Sequence, residues 1–148
     1  MKENINRKWA TITKMNKEIE EIYHKIAKHY NMSDTCFWVL YILYERNEPC
    51  TQKEMCAYWS YTKQTINSAI KTLEQIGYIQ KGYEENGKTN KKIYLTKRGK
   101  EVAKNTVKEI IEIEDRVYKS IDEKELDMVI NLLQRPLELL REETKKII

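Results

Sequence analysis

Apolar residues recur every three or four positions through the first thirty residues: Ile5, Trp9, Ile12, Met15, Ile19, Ile22, Ile26 and Tyr30. That spacing predicts one long amphipathic helix, with Lys17, Glu20 and Glu21 on its polar side. A stripe of this length needs the rest of the chain, or a second copy, to cover it. After Asn31-Met32, Ser33 stands where an N-cap belongs. It precedes a helix carrying Phe37, Trp38, Leu40, Tyr41, Leu43 and Tyr44, apolar nearly all round and therefore expected at the centre of the core. Asn47-Glu48-Pro49 ends it.

The pattern then shortens. Thr51-Gln52-Lys53-Glu54 reads as a capping box opening a short helix, with Met55, Cys56 and Trp59 for its apolar side. Ser60 is positioned to cap a further helix over 61–76, with Gly77 as its left-handed terminator. On a helical wheel Ile66, Ala69, Ile70, Leu73 and Ile76 fall on one side. Gln64, Ser68, Lys71 and Gln75 fall opposite, flanked by Tyr61 and Asn67. Apart from Lys71 this outward face is uncharged and rich in hydrogen-bonding groups, unlike the Glu/Lys pairing of an ordinary wet helix. Tyr78–Lys81 and Lys92–Leu95 have β-type composition, and Asn86-Gly87 between them is a strong hairpin signal. Thr96 then caps a helix through Val102, Val107, Ile110, Ile113 and Val117. A second box at Asp122–Glu125 opens the last helix, with Leu126, Val129, Ile130, Leu133, Leu137 and Leu140. Pro136 lies inside that helix and is expected to kink it.

Glycine usage sharpens this division. All four glycines (Gly77, Gly82, Gly87, Gly99) fall within 23 residues, leaving both flanks free to be helical. Charge is uneven too: residues 61–104 carry net +6, whereas 105–148 carry net −3. From Lys88 to Lys104 there are seven Lys and Arg against the single acid Glu101. The overall +4 therefore hides a concentrated basic middle, either a solvated surface or the footprint of a polyanion-binding site.

A short helix, a tight turn, a second helix with a polar outward face and a basic hairpin together predict a winged helix-turn-helix. The fold class is mainly α with a small β-hairpin wing. One domain is expected over 1–148, with 33–99 as the winged unit and 1–31 and 100–148 as dimerisation helices. The residues from Thr51-Gln52-Lys53-Glu54-Met55 through Ser60, Thr65-Ile66-Asn67 and Leu73-Glu74-Gln75-Ile76-Gly77-Tyr78-Ile79 to Lys92-Ile93-Tyr94-Leu95-Thr96-Lys97-Arg98-Gly99 resemble the MarR (multiple antibiotic resistance regulator) family. The resemblance covers essentially the whole chain. It implies a homodimeric, cytoplasmic transcription regulator, usually a repressor of a pseudo-palindromic operator, often released by a small ligand or by oxidation. It also implies that the terminal helices form the dimer and that the helix 61–76 reads double-stranded DNA, beside a wing over 82–92. The family's wing carries an Asp followed by Arg residues at its tip, where this chain has Asn86-Gly87-Lys88-Thr89; lysine supplies charge without arginine's planar fork.

Individual residues follow from that geometry. Gln64 and Asn67 have the amide needed to read an adenine edge. Lys63 and Lys71 suit phosphates, which position a protein without specifying sequence. Ser60, Thr65 and Ser68 carry hydroxyls within the same surface, Ser60 serving equally as a cap, and Tyr61 offers a ring for sugar or a thymine methyl. Lys88, Lys91 and Lys92 are the wing's cations, while Arg98 and Lys100 read equally well as solvated. For the dimer the candidates are Ile5, Trp9, Ile12, Ile19, Ile130, Leu133, Leu137 and Leu140.

Other chemistry finds little purchase. Cys36, Cys50 and Cys56 are an odd number without CxxC spacing, which argues against a disulfide framework or a zinc finger. Cys36, near the start of an apolar helix, is a candidate redox sensor or simply a small core residue. His24 and His29 lie five apart, off a common helix face, so no metal is expected, and nothing calls for a cofactor. Trp9, Tyr30, Phe37, Trp38 and Trp59 are read as core and dimer packing. No apolar run approaches the ~18 residues needed to span a membrane, and Met1-Lys2-Glu3-Asn4 leads into mixed charge, so neither membrane insertion nor export is expected. A Gly-rich phosphate loop, HExxH and GxSxG are all missing, which leaves an enzyme as the poorest reading. The rival is a winged-helix module that binds protein, for which an acidic or apolar wing would be the mark.

Overall fold

The structure, a computed structural model, describes residues 2–83 and 91–148. Among them are six helices and three short strands: α1 (Lys2–His29), α2 (Asp34–Glu45), β1 (Cys50–Thr51), α3 (Gln52–Trp59), α4 (Lys63–Gln75), β2 (Ile79–Gly82), β3 (Lys92–Leu95), α5 (Lys97–Tyr118) and α6 (Glu123–Thr144). The chain divides into two compact units, Met1–Glu109 and Ile110–Ile148, with α5 running across the boundary. No helix among the described residues is long and apolar enough to cross a membrane.

In the first unit the all-round apolar helix is central, as its composition requires. Cys36, Phe37, Val39, Leu40, Tyr41, Ile42 and Leu43 of α2 are buried. Against them lie Met55 of α3, Ile66, Ala69, Ile70 and Leu73 of α4, Ile79 and Ile93 of the sheet, Ala27 of α1, and Ala103 and Val107 of α5. Each such Leu, Ile or Phe contributes roughly 1.5–3 kcal/mol on leaving water, so α2 carries a large share of this unit's stability. The sheet is antiparallel in the order β1-β3-β2, with Cys50 opposite Ile93 and Ile79 opposite Leu95. Strand β3 stands where its composition put it, and β2 runs one residue later than the expected Tyr78–Lys81. The two-residue β1 is an addition that Thr51's capping role concealed. The Asn86-Gly87 turn and Lys88 lie outside the described residues.

Caps decide where the helices begin. Ser33 accepts from the Cys36 N–H, and Thr51 and Glu54 form the complete reciprocal box. Ser60 departs from its expected role. It ends α3 in the left-handed region (φ 55°), and Thr62 instead caps α4 by accepting from the Thr65 N–H at 3.1 Å. The reason is geometric, since a reversal this tight between two helices needs a left-handed residue before the next cap. Helix α4 therefore starts at Lys63 and stops at Gln75, inside the expected 61–76, followed by Gly77 at φ 78°. Ile76, expected to face the core, is the C-cap and 42% exposed.

In the second unit the rest of α5 and α6 are joined at Asp122, whose carboxylate accepts from the Lys124 N–H at 2.8 Å. That is one position short of a reciprocal box, which would use the Glu125 N–H. Pro136 stands within α6, which continues to Thr144; its missing N–H leaves the Leu132 carbonyl without its usual intrahelical donor. No residue of α6 is buried.

The α3 box gives a pH-dependent prediction. The Thr51 backbone N–H and hydroxyl, at 2.7 and 2.8 Å from Glu54 Oε2, hold that carboxyl below its usual range. A lowered native value means stabilisation that is complete above the ordinary carboxylate range and lost as pH falls through the native value. Glu54→Ala should lower unfolding free energy by about 1 kcal/mol near neutral pH. Urea titrations of both proteins, followed by tryptophan fluorescence, should show the difference shrinking below the carboxylate range.

Candidate nucleic-acid interface

Helices α3 and α4 enclose a tight turn, and Gln52 Nε2 fastens them by donating to the Lys63 carbonyl at 2.9 Å. The Ile66–Ala69–Ile70–Leu73 side of α4 is buried, so its other side must face out. Lys63, Gln64, Ser68, Lys71, Thr72 and Gln75 are exposed there, with Thr65 and Asn67 at the margin. Among the described residues, the side chains of Lys63, Gln64, Asn67 and Lys71 make no hydrogen bond or ion pair. The hydroxyls differ. Ser68 Oγ donates to the Gln64 carbonyl at 3.1 Å, Thr72 Oγ1 to the Ser68 carbonyl at 3.1 Å, and Thr65 Oγ1 pairs with Thr62 Oγ1 at 2.7 Å. They retain acceptor capacity but are oriented by their own helix.

Two expected contacts lie in other surroundings. Tyr61 is half-buried; burial pushes its phenol up, and the nearby carboxylates of Asp34 and Glu20 push it further. Asp34 also accepts from His24 Nδ1 at 2.9 Å when that nitrogen is protonated. An incoming phosphate would meet negative charge at Tyr61. Ser60, exposed at the end of α3, is fixed by its left-handed backbone.

An open groove of about 360 Å³ runs beside this face, between Ser33, Thr35 and Cys36 at the start of α2 and Gln64, Thr65, Ser68, Ala69 and Thr72 of α4. Cys36 is 5% exposed, and its thiol points at the Ala69 carbonyl, 3.9 Å away. It thus links α2 to the inner side of α4.

The cations of the hairpin differ in their surroundings. Lys81 on β2 pairs with Glu74 of α4 at 2.7 Å. Lys92 is half-buried on β3, opposite Thr51 and Gly82. Lys91 is exposed, its ammonium 5.7 Å from the centre of the Tyr83 ring. Arg98, which the sequence leaves as either a wing cation or a solvated residue, is a clamp. It donates to the Ile76 carbonyl at 3.1 Å, and its guanidinium lies 5.1 Å from the centre of the Tyr78 ring.

The clamp belongs to a knot of backbone contacts. Thr96 Oγ1 donates to the Gly77 carbonyl at 2.6 Å and accepts from the Gly99 N–H at 3.0 Å. The Thr96 N–H donates to the Tyr78 carbonyl at 3.0 Å. A Cβ on Gly99 would lie 1.8 Å from that same carbonyl oxygen, so only glycine lets α5 start this close. The end of α4, the foot of the hairpin and the start of α5 are thereby fixed to one another, the geometry of a winged helix-turn-helix.

Residues 30–88 match the sequence profile of the MarR family. Those residues are similar to the MarR family. Among solved structures, a MarR family regulator from Neisseria meningitidis is 23% identical with a TM-score of 0.77, over 95% of this chain and 99% of that one. A MarR family transcriptional regulator from Listeria monocytogenes, solved with a 26mer DNA, is 22% identical with a TM-score of 0.67, over 94% of this chain and 92% of that one. NadR, solved with 4-hydroxyphenylacetate, is 13% identical with a TM-score of 0.66, over 85% and 89%. At these identities the likeness establishes the fold. No curated protein matches the sequence. The matched residues end before β3, and the knot at Thr96–Gly99 joins the end of α4 and the foot of β3 to α5.

The knot separates two glycines of the same composition class. Gly99→Ala must push α5 off the Tyr78 carbonyl and should lower stability by about 3 kcal/mol. A Cβ on Gly77 meets nothing within 4 Å, so Gly77→Ala should lose only the left-handed backbone preference, about 1 kcal/mol. Chemical denaturation of the two variants should rank them in that order.

Proposed function

We propose that the protein is a DNA-binding transcription regulator that reads a pseudo-palindromic operator as a homodimer, through α4 in the major groove and the basic hairpin on the adjacent backbone. The observation that carries this reading is the outward face of α4. Gln64 and Asn67 offer amides suited to an adenine edge, with Lys63 and Lys71 beside them for phosphates, and none of the four side chains is paired among the described residues. The segment similar to the MarR family covers both helices of the reading unit, and the Listeria neighbour is a fold relative solved with DNA. Ser60, Thr65 and Ser68 take phosphate-side roles in this reading, with Lys88, Lys91 and Lys92 along the hairpin.

The dimer rests on apolar faces without cover. Ile5, Ile19, Ile130, Leu137 and Leu140 are each about half exposed or more, Trp9 somewhat less, and Ile12 and Leu133 are half-buried. Burial of these faces against a second copy would set two α4 helices one DNA turn apart, about 34–36 Å. Repression, with release by a small organic ligand, completes the proposal; NadR, a fold relative, was solved with 4-hydroxyphenylacetate.

A titration against the protein's own upstream DNA and an unrelated duplex, at two salt concentrations, tests the reading. The expected outcome is a dimer that prefers its own DNA by about 10³ or more. Equal, weak binding that vanishes at moderate salt would reduce the site to a basic surface. No binding by a folded dimer would favour a protein-binding winged helix. Gln64→Ala should weaken the specific duplex by about 1–3 kcal/mol and relax selectivity at one base position. Lys91→Ala should weaken all duplexes alike and reduce the salt slope by about one. If neither change alters binding, the reading surface is misassigned.

A further inference from the structure

The hairpin carries an aromatic–cation pair just beyond its strands. Gly82 stands opposite Lys92, and continuing that register by one rung sets Tyr83 opposite Lys91. Alternation along each strand then puts Tyr83 on the same face as Lys81, and Lys91 on the same face as Ile93. The contact agrees with that register. The Lys91 ammonium lies 5.7 Å from the centre of the Tyr83 ring, inside the ~6 Å within which a ring face attracts a cation. Lys81 shows where this face looks, because it reaches Glu74 of α4 at 2.7 Å. The pair therefore stands on the α4 side of the hairpin. It lies about 7 Å farther out than Lys81, two residues at roughly 3.4 Å each.

Neither member of the pair serves the core. Tyr83 is 57% exposed, and Lys91 is exposed as well. Beneath them on the same face Ile93 is buried, and Lys81 is already matched by Glu74. On the opposite face the Tyr94 ring covers Gly82, where a Cβ would come within 3.1 Å of it. The rung before the pair is thus packed, and the pair projects from a firm base. Among the described residues Lys91 has no ion pair or hydrogen bond, so the ring is what directs it. A lysine stem is flexible, and fixing it on a partner costs conformational freedom. A lysine already laid over a ring has given up part of that freedom before the partner arrives.

We infer that Tyr83 is a positioning residue for DNA, its ring holding the Lys91 ammonium on the α4 side of the hairpin for a phosphate of the duplex that α4 enters. The inference rests on the DNA-binding reading and deepens it, because it gives the hairpin a preset cation where lysine lacks arginine's fork. A phosphate contact of this kind adds affinity without sequence preference.

The test has a free-protein arm and a DNA arm, both on the full-length chain. In NMR spectra of the free protein, the ring should shift the Lys91 side-chain methylene protons upfield in wild type and Tyr83→Phe. In Tyr83→Ala they should return to ordinary lysine positions, with amide spectra outside the hairpin unchanged to show that the variant is folded. In titrations against the protein's own upstream DNA and an unrelated duplex, Tyr83→Ala should weaken both about two- to fivefold. The preference between them should not change, and Tyr83→Phe should bind as wild type does. Tyr83→Ala/Lys91→Ala should bind no more weakly than Lys91→Ala alone, a non-additivity that two independent contacts would not show. Additive losses would mean that the ring acts without Lys91, and a loss on the specific duplex alone would make Tyr83 a base contact. Either result overturns the positioning role, as do unshifted Lys91 protons or a Tyr83→Ala that binds like wild type. In each of those cases wild type still prefers its own DNA, and the DNA-binding reading stands. A wild-type protein that binds neither duplex overturns both.

Discussion

The approach of α5 to the Tyr78 carbonyl is the constraint on which the winged unit depends. A reading helix is useful only if the hairpin beside it is held at a fixed angle, because a groove and its flanking backbone must be met together. Here that angle is set by main chain. Gly77 turns the chain out of α4, Thr96 bonds back to the Gly77 carbonyl and onward to the Gly99 N–H, and Arg98 closes over the Ile76 carbonyl. Each tie ends on a backbone carbonyl or N–H, so the partner positions do not depend on residue type, and the absence of a Cβ at Gly99 makes the close approach possible. Lys81–Glu74 adds a second tie from β2 to α4, though a part-exposed pair of this kind contributes little energy alone.

The same joint sorts the basic residues into two groups. Net charge over the middle of the chain suggests a uniform positive surface, yet Arg98 and Lys81 are held by the fold while Lys63, Lys71 and Lys91 stand outward. The count of cations in this region therefore overstates those available to a polyanion. The polar residues of α4 sort similarly, since the hydroxyls of Thr65, Ser68 and Thr72 bond locally while the amides of Gln64 and Asn67 have no partner among the described residues. Specificity on such a face would come from the amides, and the hydroxyls would confine the helix surface to one shape.

What sequence reveals and what it hides follow the range of each interaction. Ser33, Thr51 and Glu54 act on N–H groups three residues away or fewer, so spacing alone exposes them. The all-round apolarity of α2 likewise announces burial. Ser60 and Thr62 are both good caps two residues apart, and the choice falls to the turn, which requires one of them left-handed. Local pattern cannot weigh that. Arg98 is invisible for another reason: its partner is a carbonyl 22 residues away, and any residue type at position 76 would supply it. The surroundings of Tyr61 depend on Asp34 and Glu20, which the fold brings near from two other helices. The β1 strand is only two residues long and exists because β3 passes beside it, so no alternation could signal it.

The second unit poses the opposite problem, since its helices are legible but its cover is not. A 22-residue helix with no buried residue gains little from tertiary packing as it stands. Isolated helices in water are marginal even with good propensities, because nucleation is unfavourable and packing normally supplies the stability. Helix α6 has a sound cap at Asp122 and acidic residues in its first turn, worth at most a few kcal/mol together. It also carries Pro136, which removes a backbone bond. These local terms roughly offset one another, so persistence of the helix must draw on Leu126, Val129, Ile130, Leu137 and Leu140 leaving water. A face made of the same residues in each copy is suited to an isologous contact, in which every apolar group meets the same surface that presents it. On that argument the proposed dimer is a condition for α6 to hold its shape as well as a means of spacing two reading helices.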